Sequence, residues 1–180
     1  MVRALVRAVV LLAGISLAGP ATAQNSDVLE RALASALDSF EGALPALGGE
    51  VFGVNVAEYR DALSLQRFSS GRWGGTVSVS IEMQADEGGQ CARFAAFTRV
   101  PPRDGAVPLV LCPRFFAPGA DELRTLTILH EMVHVVAGTD ECRAMAFAAA
   151  VEQQARGRWT PVDAYWRASG CGVSGFRLPG

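Results

Sequence analysis

Residues 130–134 read His130-Glu131-Met132-Val133-His134, and they contain both histidines of the 180-residue chain. Two imidazoles four residues apart, with an acid between them, suit hydrolysis assisted by a divalent metal. On an α-helix, residues four apart share a face, so both rings can reach one ion. Glu131 sits one step round the helix, where it can hold a water at that ion and take its proton as a general base. Zinc is the expected ion. A catalytic zinc site takes three protein ligands and leaves one position open. No histidine remains to be the third.

The nearest candidates are Asp140, Glu141 and Cys142. Between them and His134 lies Val135-Val136-Ala137-Gly138-Thr139, where Gly138 can take positive φ and stop the helix. Thr139 or Asp140 can then cap a second helix. Glu141 is favoured as the ligand and Asp140 as the cap, and the reverse assignment stays open. The four cysteines permit three disulfide pairings. Cys91–Cys112 and Cys142–Cys171 are favoured, the first between neighbouring strands and the second tying the tail to the second helix. With such a partner in an oxidising compartment, Cys142 is not expected to bind metal.

The elements that must position these residues follow from periodicity. Asp121–Ala137 reads as a helix with Leu126, Leu129, Val133 and Val136 on one apolar face and the histidines on another side. Glu141–Arg156 reads as the second helix, stopped by Gly157, and a short third one runs to Ala168. Asp27–Leu47 is a further helix, capped by Asn25 or Ser26, and Glu58–Phe68 another. Glu50–Val56 is a short strand. Trp73 sits in a glycine-bracketed loop and is assigned to packing. Thr76–Met83 alternates as a half-buried strand, Asp86–Gly89 reads as a hairpin turn, and Cys91–Arg99 as the returning strand. Val107–Cys112 is a short buried strand. The expected fold class is α+β: a small single domain over residues 24–180, with a short, mainly antiparallel sheet packed on the metal-binding helix.

Over roughly Cys91–Arg156 the sequence resembles the aspzincin metallopeptidases, the group of deuterolysin and the peptidyl-lysine metalloendopeptidases. The resemblance rests on Cys91 before Ala95-Ala96-Phe97-Thr98, on Val110-Leu111-Cys112-Pro113-Arg114-Phe115-Phe116, on the His130–His134 motif and on Gly138-Thr139-Asp140-Glu141. It implies a zincin-like fold and a zinc-dependent peptidase. Glu141 stands where the family has its ligand aspartate, and Glu on the next helix is also similar to the gluzincin arrangement. A metzincin-like pattern with an aspartate ligand would select Asp140 instead, although Ala137 then replaces a glycine. Cys142, Arg143, Ala144 and Met145 occupy the positions of the family's carbonyl-polarising tyrosines, which leaves Arg143 or Tyr165 for that role, or leaves it vacant. By the same resemblance, an extended substrate would lie along Cys91–Thr98 or Val107–Cys112.

The first 23 residues read as an export signal: Arg3 and Arg7, an apolar Ala8–Gly19 and a small-residue cleavage site at Ala21-Thr22-Ala23. This places the mature protein in the periplasm or outside the cell, with no membrane span after cleavage. All 16 basic residues are arginine and the net charge is −2, a balance that gives no support for nucleic-acid binding, which calls for a basic face. The expected partner is a peptide or protein substrate, and the expected state a monomer. Two alternatives share the metal site: a catalytically silent binding or structural module, and a hydrolase of cell-wall cross-links.

Overall fold

The computed structural model describes residues 20–180. The charged and apolar segments of the expected export signal, up to Gly19, lie outside the described residues. The chain forms helix α1 (Pro20–Ala43), a hairpin of β1 (Glu50–Val51) and β2 (Val54–Asn55), and helix α2 (Val56–Leu63). Strands β3 (Phe68–Ser69), β4 (Thr76–Met83), β5 (Ala96–Thr98) and β6 (Ala106–Leu111) follow, then helices α3 (Asp121–Ala137), α4 (Glu141–Arg156) and α5 (Asp163–Ala168). This is a mixed helix-and-sheet architecture, consistent with α+β. Among the described residues, no helix is long and apolar enough to cross a membrane.

α1 starts earlier than expected. Asn25 and Ser26 therefore lie inside it rather than capping it. Pro45 ends it by forcing the 3₁₀ turn Leu44–Ala46. The expected strand over Glu50–Val56 is a two-strand hairpin instead, because Phe52 and Gly53 both take positive φ at its turn. Asn55 then caps α2 by accepting from the Glu58 N–H.

The four-stranded sheet has the order β3-β4-β6-β5. This corrects two expectations. Asp86–Gly89 does not close a hairpin, because β6 lies between β4 and β5. The sheet is also mixed rather than mainly antiparallel: β3–β4 and β5–β6 are antiparallel, but the longest ladder, β4–β6, is parallel. The reason is apolar content. Val107, Leu109 and Leu111 have no exposed surface, and a strand this apolar gains most when it is paired on both sides. The strand expected from Cys91 shrinks to Ala96–Thr98, because Cys91 lies in the 3₁₀ turn Gly89–Ala92. There it is bonded to Cys112, and the second disulfide joins Cys142 to Cys171. Both pairs are the favoured ones.

α3 lies at the centre. It packs against α1, α2, α4 and β5, so it is covered on most sides rather than along one apolar face. Ile128, Leu129, Met132, Val133 and Val135 are fully buried. Each such side chain contributes about 1.5–3 kcal/mol relative to exposure. Tyr59 reaches from α2 to donate a 2.8 Å hydrogen bond to the Leu129 carbonyl, which fixes the helix one residue before His130.

Candidate metal centre

His130 and His134 leave α3 on the same side, and their Nε2 atoms lie 3.1 Å apart. Glu141, the first residue of α4, brings its carboxylate to both: Oε2 is 3.1 Å from His130 Nε2 and Oε1 is 3.5 Å from His134 Nε2. Two metal–ligand bonds of about 2.0–2.1 Å at tetrahedral angles separate their donors by about 3.3 Å. The three donors therefore already stand at the spacing one divalent ion requires, and they form the only such group among the described residues. The tautomer of His134 suits it as well. His134 Nδ1 faces the Gly138 carbonyl at 2.8 Å and so carries the proton, which leaves Nε2 as a lone-pair donor.

Asp140 does not join this group. Its carboxylate accepts from the Arg143 N–H at 3.0 Å as the N-cap of α4. The turn that delivers Glu141 depends on Gly138, whose φ of 87° and ψ of −167° place it in backbone space that only glycine occupies readily. A Cβ there would also overlap the Arg72 guanidinium. The carbonyls in the last turn of α3, which normally go unpaired, are taken up from elsewhere. Trp73 Nε1 donates to Val135 O at 2.6 Å and Arg143 Nη1 to Ala137 O at 2.9 Å. Trp73 thus holds the carboxyl end of the metal-site helix, a role the sequence did not assign to it. Trp73→Phe is expected to leave the Val135 carbonyl without this donor and to lower stability by roughly 1–2 kcal/mol in urea unfolding.

Glu131 projects beside the ligands, with 7% of its surface exposed. Thr98, on β5, donates to its Oε2 at 3.3 Å. Burial pushes the Glu131 carboxyl above the usual carboxylate range, and the nearby His130 and His134 only partly offset this. Burial also works to raise Glu141, but its contacts with both histidines outweigh that and hold it well below the usual range. His134 moves up: burial opposes its charged form, and Glu141, Glu131 and the Gly138 carbonyl together prevail. The two acids therefore have opposite tendencies, one held as an anion and the other inclined to take a proton.

The two candidates for polarising a carbonyl separate clearly. The Arg143 guanidinium lies behind the centre, against Ala137, Gly53 and the Phe176 ring. Tyr165, on α5, faces it, with its hydroxyl 3.1 Å from Glu141 Oε2 and its ring 6.2 Å from that of His130. Burial, then the Glu141 charge, raises the phenol well above its ordinary value, so at neutral pH it is a donor. A cavity of about 220 Å³ opens beside Glu131, between β5 and the start of α4. β5 is an edge strand. Cys112 N donates to Ala95 O and Arg99 N to Pro108 O, so the backbone groups of Ala96 and Thr98, in the alternate register, turn to the open side. The other strand considered for substrate, β6, is paired on both sides and has no free edge.

Comparison with known protein families, curated proteins and solved structures returns no match. The chemistry of the site therefore rests on its own geometry.

Proposed function

We propose that the chain is an exported zinc-dependent metallopeptidase of aspzincin-like type. The observation that carries this reading is the convergence of His130, His134 and Glu141 at metal-ligand spacing, with the buried Glu131 beside them. Two nitrogens and one carboxylate oxygen are a donor set that suits zinc. When bound, the ion would supply Lewis-acid polarisation of the scissile carbonyl and acidify a water. Glu131 takes the proton of the attacking water, and its burial-raised basicity suits that task. It then passes the proton to the departing amine. Ala96 and Thr98 hold the extended substrate by backbone hydrogen bonds along the open edge of β5. Tyr165 donates to the oxygen that gains charge as the carbonyl is attacked. The two disulfides are compatible with an oxidising compartment such as the periplasm or the cell exterior.

The test is turnover of unstructured protein substrates by the zinc-loaded chain, followed by mass spectrometry. Stoichiometric metal with no cleavage of any peptide would favour the catalytically silent module instead. Tyr165→Phe separates two roles for the phenol. The expected result is a fall in kcat on the order of a hundredfold, with metal affinity changed only a few-fold. Loss of metal without a specific fall in kcat would make Tyr165 an orienter of Glu141 alone.

A further inference from the structure

We infer that the substrate side chain entering the cavity beside Glu131 is uncharged and apolar; this deepens the peptidase reading and rests on it. Phe94, Ala96, Phe97 and Val100 form the β5 side of the cavity. Apart from the ligand histidine, its ionisable lining consists of Glu131, Glu141 and Tyr165. The chain carries 16 basic residues, all arginine, yet none of those among the described residues lines this space. The arginines flanking β5 are occupied outside it: Arg93 stacks on the Phe94 ring, while Arg99 stacks on Phe97 and pairs with Glu82 at 2.6 Å.

Both carboxylates that line the cavity already have a task in the proposed reaction, one toward the ion and one toward the water. An acidic side chain entering the cavity would meet Glu131 with no arginine in the lining to pair with. A basic side chain would find no carboxylate free, since Glu141 holds the ion and Glu131 serves the water. Either would lose part of its hydration with no ion-pair partner in return, whereas an aliphatic or aromatic group covers Phe94 and Phe97.

The experiment uses two probe series on the zinc-loaded chain. In the first, one peptide is varied to Leu, Phe, Gln, Lys or Asp at each position flanking the cut. Leu and Phe are expected to exceed Lys and Asp by at least about a hundredfold in kcat/KM at the position that enters the cavity. In the second, peptide hydroxamates bearing the same side chains are titrated by calorimetry, which requires no turnover. Neutral hydroxamates binding tighter than charged ones uphold the inference, even if no peptide is cut and the peptidase reading fails. Equal binding of Lys, Asp and Leu hydroxamates overturns it, whatever the turnover. Gln90→Glu, at an exposed position on the cavity wall, adds the missing carboxylate. It is expected to raise affinity for the Lys hydroxamate about tenfold, and an unchanged ranking would count against this cavity as the side-chain site.

Discussion

Glu131→Gln is expected to lower kcat by roughly a thousandfold while leaving the metal content unchanged. The size follows from removing a positioned general base, which contributes about 10²- to 10⁴-fold. Glutamine keeps the shape of the side chain and an oxygen for the Thr98 hydroxyl, but it cannot take a proton. Stability should not fall. Burial already disfavours the ionised Glu131, and a neutral amide avoids the desolvation of a charge. Elemental analysis and peptide turnover on the same preparation decide the matter. Undiminished turnover would remove Glu131 from the mechanism, and loss of the ion would make it a ligand instead of a base.

The second large effect concerns the proposed third ligand. Glu141→Gln should weaken zinc binding at least about a hundredfold, because an anionic donor shared by two imidazoles becomes a weak neutral one. Asp140→Ala should cost about 1 kcal/mol of folding stability through loss of the α4 cap, with zinc affinity changed only a few-fold. Competition against a fluorescent chelator reads the affinities, and urea unfolding reads the stability. A reversed pattern, with Asp140→Ala losing the ion, would transfer the ligand role to the neighbouring residue.

The parts legible in the sequence are those whose physics is local. The spacing of His130 and His134, the stop at Gly138, the cap at Asp140 and the helix Glu141–Arg156 depend on residues within a few positions of one another. Both disulfide pairings were the favoured ones of three, chosen from the elements the cysteines flank, although cysteine spacing by itself left the choice open. The sheet order was not legible. Asp86–Gly89 carries the residues of a hairpin turn, but strand pairing is decided across the whole chain, and the apolar Val107–Leu111 stretch takes the central place. The contacts of Trp73 and Thr98 with the site were not legible for the same reason. Each acts through one contact with α3 more than 30 residues away in sequence, 62 for Trp73 and 33 for Thr98. A tryptophan bracketed by small residues was the only local sign that the Ser70–Gly75 loop did more than connect strands. Tyr165 was recognisable as a candidate by residue type, but its place beside Glu141 comes from tertiary structure.

The bond between Cys142 and Cys171 has a consequence for the order in which the protein ripens. The cation cradle comes from one contiguous stretch, 130–141, and takes shape once two adjacent helices dock. Its phenol arrives from a separate arm, anchored covalently one residue past Glu141. Closing that 29-residue separation restricts the unfolded chain by roughly 3–4 kcal/mol. A chain still bathed in thiols has no covalent hold on the phenol, so the proposed activity is expected to strengthen upon oxidation.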